Sequence, residues 1–497
     1  MASETLVLMS LVLPLLTAVL VVNFRNFPNL RECCSILGSS LLLLVNVILA
    51  TRVVAGERPE LSLGIMIPRF EMGVSIEPLG MLFAIVASGL WVPTTFYAIG
   101  YMRGHNESHQ ARFFACFAIA IFAALAAAYA ADLFTLFIAY ELMTLCTYPL
   151  VTHHGTETAR NAGRVYLGLL LTSSITLFML AIAWTWFLAG TLDFRQGGIL
   201  QDAFASGKVR RTELMVLLGM FAFGIGKAAL MPFHRWLPAA MVAPTPVSAL
   251  LHAVAVVKVG VFTILKVAVY VFGIDLLQQT GISQWLAYVA GVTIVVSSLI
   301  AMTKDNLKAR LAYSTIGQLA YVTLGAALAT PAGILGSGLH IVMHAVAKIT
   351  LFFCAGAIYV ATHKSNISQF DGLGRKMPWT FAAFLVASVS IIGLPPGGGA
   401  WSKWLLATST AETHLYLLTA ALMISSLLNI AYLIPIPLRA FWGDLTASVR
   451  SSDPTETTTE APLFCVIPLC LTAGGSVALF FLADWIHSAL LPIVASQ

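Results

Sequence analysis

Long apolar runs dominate this chain and constrain its fold more than any other feature. A membrane-spanning helix needs about 20 mostly apolar residues, and the sequence of 497 residues contains fourteen such segments. They lie near 5–23, 35–54, 78–102, 112–130, 132–152, 163–189, 213–242, 246–272, 284–303, 309–329, 333–361, 378–411, 414–441 and 462–487. Only 10% of the residues are charged, against about 25% in soluble proteins. We therefore expect an all-α polytopic membrane protein, which excludes soluble enzymes, nucleic-acid-binding proteins and disordered scaffolds.

Two of these segments are interrupted by residues that disfavour a continuous helix. The seventh contains Pro232 followed by His234, and the twelfth contains Gly393 followed by Pro395 and Pro396. Proline removes a backbone donor and glycine weakens a helix. Both segments are therefore predicted to break into half-helices at these residues. Broken backbone is tolerated in a membrane only where protein or a water-filled cavity satisfies it.

The distribution of basic residues predicts an orientation. The loops after odd-numbered segments, counted with the adjoining segment ends, hold fourteen Lys and Arg residues, and those after even-numbered segments hold seven. Basic loops stay in the cytoplasm. We expect a multi-pass protein of the cell (inner) membrane with both termini outside the cytoplasm. The polar stretch 451–460 before the last segment is predicted to be a disordered linker.

Several ionisable residues lie inside the apolar segments, where a charge costs about 2.5–3.5 kcal/mol at a helix centre. One is an acid, Glu141. The basic ones are Lys227, Arg235, Lys258, Lys266, Lys348 and Lys403, and the histidines are His234, His252, His340 and His344. Ion or proton passage is the default hypothesis for such residues.

Each of these residues also has a structural explanation. Lys266 lies near the end of its segment, so snorkelling to the interface explains it as well as transport does. His234 lies at the break in the seventh segment, where capping of exposed backbone carbonyls explains it as well as transport does. Lys227 and Glu141 lie in mid-segment, where neither reaches an interface easily, and a transport function is favoured.

Helix spacing strengthens the case on the eleventh segment. His340, His344 and Lys348 are spaced i, i+4 and i+8, so they share one helix face. A single buried histidine is usually a satisfied core residue, but three titratable groups on one face are typical of a proton wire.

The residue types fit reversible proton binding. A lysine in water has a pKa near 10.4 and keeps its proton at neutral pH. Burial favours the neutral amine, whereas a nearby carboxylate favours the ammonium form. A lysine whose carboxylate partner approaches and withdraws can therefore take up and release a proton. A swing of about three pKa units corresponds to about 4 kcal/mol, the scale on which a pump couples ion movements.

The motifs resemble a known family. The run from Lys227 to Met241 and the run from Ala243 to His252 resemble the signature of the antiporter-like subunits of respiratory complex I and of Mrp-type sodium/proton antiporters. Further matches are 304–315, 344–348 and 393–396 with Lys403, so that the resemblance covers about residues 75–440.

The resemblance implies a fold of about 14 transmembrane helices with two inverted five-helix repeats, each containing one broken helix. The expected division is 1–110 for helices one to three, 111–272 for the first repeat, 273–441 for the second repeat and 442–497 for a polar linker and helix fourteen. It also implies roles for the buried residues. Glu141 would tune Lys227, His252 and Lys258 would lie on the central axis, His340, His344 and Lys348 would form a relay, and Lys403 would be the terminal lysine beside the second break.

The chain most resembles the D-type subunit of an Mrp-like complex. It is expected to be a proton-translocating subunit of a multisubunit monovalent cation (Na⁺)/proton antiporter, with H⁺ and Na⁺ as transported ions and no cofactor of its own. Expected partners are other membrane subunits and the lipid bilayer, with no nucleic acid. The alternatives are a proton-pumping subunit of a redox-driven complex I-like or membrane-bound hydrogenase assembly, an ion-coupled bicarbonate uptake module and a membrane scaffold.

Overall fold

The structure, a computed structural model, describes residues 2–67, 70–443 and 460–494. Within these ranges, twelve helices are long and apolar enough to cross a membrane. Two segments built from shorter, broken helices complete the expected fourteen, so the protein is an all-α polytopic membrane protein. The predicted disordered linker at 451–460 lies outside the described residues, apart from Glu460.

The helices that build the crossings are numbered here in chain order. They are α1 Ser3–Asn23, α2 Pro28–Val54, α3 Pro78–Gly104, α4 Gln110–Tyr129, α5 Leu133–Val151, α6 Glu157–Ala189, α7 Arg211–Gly224, α8 Thr245–Phe272, α9 Gln284–Thr303, α10 Leu307–Leu328, α11 Pro331–Thr362, α12 Pro378–Ile392, α13 Gly399–Glu412, α14 Tyr416–Trp442 and α15 Leu463–Ile493. Short helices occur at Gln201–Ala205, Trp236–Ala239 and Ile274–Thr280.

Most helices agree with the predicted segments, and the differences lie at their ends. Helix α2 begins at Pro28, seven residues before the predicted start at 35, because proline is well suited to the first turn of a helix. Arg31, a loop residue in the predicted arrangement, therefore lies in a helix. Helix α6 begins at Glu157, where the hydroxyl of Thr156 accepts a hydrogen bond from the backbone of Ala159.

A β-hairpin before α3 adds to the predicted helices. Strands β1 (Glu60–Ile67) and β2 (Phe70–Ser75) pair antiparallel. The hairpin contacts the turn between α4 and α5, where the backbone N–H of Ala131 donates to the carbonyl of Gly73 at 3.1 Å. It therefore covers one end of the helix bundle.

The seventh segment breaks earlier than predicted, and this corrects the expected position of Lys227. Helix α7 ends at Gly224, well before Pro232, so that Lys227 lies in a tight turn instead of in mid-helix. A Cβ atom on Gly224 would lie 2.4 Å from the backbone nitrogen of Phe178 in α6. This close approach requires glycine, and the chain leaves the helical path directly after it.

The second break lies where the sequence predicted it. Helix α12 ends at Ile392, α13 begins at Gly399, and Pro395 and Pro396 lie between them. Gly393 has a φ of +91°, a backbone conformation that favours glycine at a helix C-terminus.

The core of the molecule consists of α8, α10 and α11. Helix α8 is completely enclosed by other helices, and α10 and α11 are nearly so. In contrast, outer helices expose large apolar side chains such as Phe187, Leu417 and Phe481, as expected of a lipid-facing surface. The ionisable residues of α8 and α11 therefore face protein, where polar partners are available.

Candidate functional site

A continuous row of buried polar side chains runs from α8 through α11 to α13. Lys258 on α8 and His344 on α11 are both buried, and a hydrogen bond of 2.5 Å joins the lysine Nζ to the histidine Nδ1. The ring of His344 stacks on that of His340, one turn away, with centroids 5.9 Å apart and an angle of 2° between the planes. The predicted stripe on the eleventh helix therefore contacts α8 directly.

The row continues from α11 to the second break. His340 Nδ1 forms a hydrogen bond of 2.9 Å with the hydroxyl of Ser402, the residue before Lys403. The ring of Tyr321 on α10 stacks on His340 at 5.4 Å and lies 4.8 Å from the Nζ of Lys403. We call Lys258, His344, His340, Tyr321 and Lys403 the central row.

Lys348 shares the face of His344 but points to a different partner. Its Nζ donates to the hydroxyl of Ser314 on α10 at 2.8 Å. The hydroxyl of Tyr432 on α14 lies 2.9 Å from the same Ser314 oxygen and donates its proton to Oδ1 of Asn429. The third member of the predicted stripe thus branches from the central row toward α14.

His252 lies on α8 near the row and has an unusual environment. Its side chain is fully buried against the ring of Phe352 at 4.8 Å. Neither ring nitrogen has a hydrogen-bond partner among the described residues. A buried, unsatisfied polar group is costly and is typical of a site that water or a mobile proton serves. Helix α8 is wider than a regular α-helix over Leu250–Val254, where His252 lies, a local form that is frequent at functional sites.

Lys227 forms a second buried centre beside the first break. Its Nζ donates to the carbonyl oxygen of Tyr140 at 2.7 Å and to the hydroxyl of Thr144 at 2.6 Å, and it lies 3.1 Å from the centroid of the Tyr140 ring. The backbone N–H of Lys227 donates to the Tyr140 hydroxyl at 3.0 Å. Helix α5 therefore holds both the main chain and the side chain of this residue.

Glu141 lies near Lys227, the residue that the resemblance implies it tunes, without a direct ion pair between them. Both carboxylate oxygens are buried and lack a hydrogen-bond partner within the described chain. The carboxylate is nevertheless close enough to act electrostatically on Lys227. The ammonium group instead uses neutral oxygens of the adjacent turn of α5, so the two charges are neighbours without contact.

Close packing against α8 fixes the first break. A Cβ atom on Gly260 would lie 2.3 Å from the backbone nitrogen of Ala228 and 2.7 Å from the carbonyl oxygen of Lys227. The indole N–H of Trp236 donates to the carbonyl of Gly226 at 2.9 Å, which satisfies one acceptor that the broken helix leaves free. The broken backbone is thus supported by protein.

The second break is satisfied in a related way by its own lysine. The Nζ of Lys403 donates to the carbonyl of Ile392 at 3.1 Å and to the hydroxyl of Ser426 at 3.3 Å. A Cβ atom on Gly393 would lie 2.7 Å from Cδ of Lys403. Each break therefore places one buried lysine next to a helix end.

The remaining predicted residues lie outside these centres. Lys266 does not snorkel: it is 1% exposed, and its Nζ lies 2.8 Å from Oε1 of Glu77 and donates to the carbonyl of Ala130 at 2.8 Å. Pro232 and His234 lie in the chain that follows the first break, and the ring of His234 is 6.3 Å from that of Tyr313. None of these three residues contacts the central row in the described structure.

Sequence reasoning missed the tyrosines and serines that connect the lysines. Tyr321, Tyr140 and Tyr432 are fully buried in the spans, and each touches a buried lysine or the partner of one. A buried hydroxyl needs a partner, so a tyrosine in the middle of an apolar segment was the available signal.

The arrangement is suited to moving protons and offers little for holding a metal ion. A neutral imidazole carries one donor and one acceptor nitrogen, so His344 and His340 can each bind and release a proton. The two stacked rings are not hydrogen-bonded to each other, so a bridging water has to carry the proton from one to the other. Among the described residues, no group of three or more His, Cys, Asp or Glu could hold a metal. All seven cysteines are free thiols.

Comparison with known proteins identifies the family of the chain. Residues 130–429 match the family described as "NADH:quinone oxidoreductase/Mrp antiporter, TM", a stretch that contains the whole central row. The chain is 28% identical to the N subunit of the NADH-quinone oxidoreductase of Desulforudis audaxviator over 470 residues, 92% of this chain and 91% of that protein.

Two further similarities are to an antiporter subunit and to a solved structure. The chain is 26% identical to the D subunit of the Na(+)/H(+) antiporter of Alkalihalophilus pseudofirmus, covering 89% of this chain and 88% of that one. Its fold is similar to a chain in the structure of the Mrp complex from Dietzia sp. DQ12-45-1b, with a TM-score of 0.84 and 21% identity over 99% of this chain and 96% of that chain.

Proposed function

Because the chain belongs to the NADH:quinone oxidoreductase/Mrp antiporter transmembrane family, as a proton-translocating membrane subunit of a multisubunit complex, we propose that it carries protons in exchange for a monovalent cation, Na⁺. Other membrane subunits of that complex are its partners. We propose both the exchange reaction and Na⁺ as its coupled ion.

The central row is the observation that carries this proposal. It links two buried lysines through two stacked histidines and a tyrosine ring, all enclosed by α8, α10, α11 and α13. The lysines in it donate to neutral acceptors, so no carboxylate holds their protons in place. A proton taken up by Lys258 can therefore move by way of the imidazoles toward Lys403. Lys227 differs from these lysines, because the Glu141 carboxylate acts on it electrostatically, and it forms a separate buried centre.

We further propose that the two breaks mark two inverted repeats, 111–272 and 273–441, flanked by 1–110 and 442–497. The protein would lie in the cell membrane with both termini outside the cytoplasm. The excess of basic residues in the loops after α1, α3 and the other odd-numbered predicted segments supports this orientation.

The test is sodium-driven proton flux in liposomes that contain the purified complex. Lys258→Met should reduce flux to the background of empty liposomes, because it interrupts the central row. Lys208→Ala is the matched control, since Lys208 is exposed on a loop outside the row, and it should keep wild-type flux. Full flux in a correctly assembled Lys258→Met complex would contradict the proposal.

A second candidate function is proton pumping powered by redox chemistry in a partner. The similarity to a quinone oxidoreductase protein over nearly the whole chain favours it. Purification of the native complex distinguishes the two, because a redox-driven assembly contains iron–sulfur or flavin proteins. A complex free of such proteins that still exchanges Na⁺ for protons would exclude the second candidate.

A further inference from the structure

A cluster of titratable side chains surrounds Glu107 in the turn between α3 and α4, away from the central row. The Glu107 side chain is 8% exposed. Its Oε1 lies 4.0 Å from Nε2 of His105, and its Oε2 lies 3.9 Å from Nε2 of His153 and 3.7 Å from Nδ1 of His154. The central row does not explain why three imidazoles surround this one buried carboxylate.

Glu107, His105 and His154, but not His153, line a cavity of about 220 Å³. A water molecule needs only about 10–15 Å³ of such volume, so the cavity has room for several waters. Its walls come from the ends of several core helices. They include Tyr101, His105, Glu107, His154, Thr245, Lys308, Ala355 and Lys364.

This cavity reaches the two helices that carry the central residues. Thr245 on its wall is the first residue of α8, and His252 lies seven residues further along that helix, about 10 Å at 1.5 Å per residue. Ala355 on its wall lies seven residues from Lys348 on α11. His252, with both ring nitrogens unpaired in the described structure, is therefore the nearest titratable group of the site on α8.

Other charged groups around Glu107 come from every neighbouring element. His109 acts electrostatically on His153, and Arg112 on α4 donates to the His153 carbonyl at 2.9 Å. Lys308 on α10 acts electrostatically with Glu107 and donates to the carbonyl of Ala243. At the end of α11, the rings of Tyr359 and His363 pack against that of His105.

The three histidines differ in access to solution. His154 is 37% exposed in its side chain and His105 is 26% exposed, whereas the His153 side chain is inaccessible. Burial, and secondarily the charge of Arg112, lower the pKa of His153 to about 4, so it is neutral at physiological pH. His154 is therefore the most accessible of the three imidazoles, and the Glu107 carboxylate lies directly behind it.

We propose that Glu107, His105 and His154 form the mouth through which protons are loaded into the path that leads by way of the cavity to His252 and Lys348. His154 binds a proton from solution, and its imidazolium gives this proton to the Glu107 carboxylate and becomes neutral. The protonated carboxyl then releases the proton into cavity water on the side of α8. This inference rests on the proposed function and adds the residues that supply its protons.

The physical reason is the pairing of an exposed imidazole with a buried carboxylate. Histidine has its unperturbed pKa near 6.5, close to the pH of the solution from which it must collect protons. An ionised carboxylate attracts an incoming proton, and Glu107 holds its carboxylate at the wall of the cavity.

The experiment measures proton flux through the purified complex in liposomes. The pH is varied on the side of the membrane where Glu107 lies. Glu107→Gln should lower flux by about a hundredfold, the lower end of the range for loss of a proton-transfer group, and should flatten the pH dependence. Glu107→Asp should restore most of the flux. Glu157→Gln is the control, because Glu157 is an exposed acid at the start of α6, and it should leave both unchanged.

Two outcomes would overturn the mouth while leaving the proposed function intact. In the first, Lys258→Met abolishes flux but Glu107→Gln keeps the wild-type rate and pH profile. In the second, Glu107→Gln lowers the rate but leaves the midpoint of the pH profile unchanged, which indicates a structural role for the turn. If Glu107→Gln does not assemble, His154→Gln decides: a shifted pH midpoint supports the mouth, and an unchanged midpoint refutes it.

Discussion

The buried lysines divide into two groups by the kind of acceptor that each one meets. Lys258, Lys348 and Lys403 donate to an imidazole, a hydroxyl and a carbonyl, all neutral acceptors that do not oppose loss of the proton. Lys266 instead has the carboxylate of Glu77 at 2.8 Å, which favours the fixed ammonium form. The first group is thus suited to proton transfer and Lys266 to structure.

The ring of Tyr321 connects His340 to Lys403, and substitutions at this position test whether that contact matters for proton flux. Tyr321→Phe keeps the ring and should retain most of the proton flux. Tyr321→Leu removes the aromatic contact and should reduce flux by about tenfold, equivalent to roughly 1.4 kcal/mol at the barrier. Flux in the reconstituted complex is the measurement, and equal flux in both variants would show that the ring does not matter.

His153 predicts an acid-dependent loss of stability. Its pKa is about 4 in the folded protein because of burial, against an ordinary value of about 6.5. Between these values the unfolded chain binds more protons, so the free energy of unfolding should fall as pH decreases from about 6.5 toward 4. Thermal unfolding of the detergent-solubilised protein across this range should show a weaker acid dependence in His153→Leu than in wild type. His414→Gln, a change at an exposed histidine, should not alter it.

At the scale of elements, glycines set how close the helices come to the broken backbone. Gly260 allows α8 to touch the turn that carries Lys227, and Gly224 allows α7 to touch α6. The position of the first break follows from these contacts more than from Pro232. This is why the proline predicted a break correctly but placed it too late in the chain.

Gly260→Ala should therefore displace the first break. Its new Cβ would lie 2.3 Å from backbone atoms of Lys227 and Ala228, and backbone cannot move aside as a flexible side chain can. We expect a lower unfolding temperature and reduced flux. Gly219→Ala on α7 is the control, since its nearest neighbour is Trp285 at 3.7 Å, and it should be neutral or slightly stabilising. Equal stability of the two variants would refute the clash.

The ion pair between α3 and α8 should behave as a structural tie. Lys266→Met or Glu77→Gln alone leaves one buried polar group without its partner and should destabilise the protein by about 3–5 kcal/mol. The double variant should recover much of that loss, and a double-mutant cycle of unfolding free energies measures the coupling. Additive effects of the two changes would argue against the tie.

At the scale of the whole molecule, an apolar outer shell encloses a polar interior. The outer helices expose leucine and phenylalanine to lipid, whereas Lys258, His340, His344 and Lys348 lie on the enclosed helices α8 and α11. The cavity at Glu107 and the Lys266–Glu77 pair lie at opposite ends of α3 and α8. The described structure thus contains titratable groups at both ends of its core.

The proposed orientation is tested with reporter fusions. Alkaline phosphatase, which is active only outside the cytoplasm, should be active when fused after Lys208 and inactive when fused after Lys304, because the basic loops after odd-numbered segments are retained in the cytoplasm. A cytoplasmic fluorescent reporter at the same sites should give the reverse pattern. Phosphatase activity at both sites, or only after Lys304, would contradict the orientation.

The sequence alone determined the architecture and the set of candidate residues. Apolar runs of about 20 residues have few alternatives to membrane helices, and charged residues within them are rare enough to stand out. The i, i+4 spacing of His340 and His344 was sufficient to predict that they share a face. These inferences depend on local properties of the chain, which a sequence contains directly.

Only the tertiary structure decided which of these residues meet and through what. Three contacts join residues far apart in the chain: Lys258 with His344, Tyr321 with Lys403, and Lys266 with Glu77. The turn at Lys227 likewise depends on helices that pack against it. Such contacts depend on how closely helices pack, and we expect a single added methyl group at Gly260 to change the distance between α8 and the first break. Periodicity within one helix carries no information on the distance between helices.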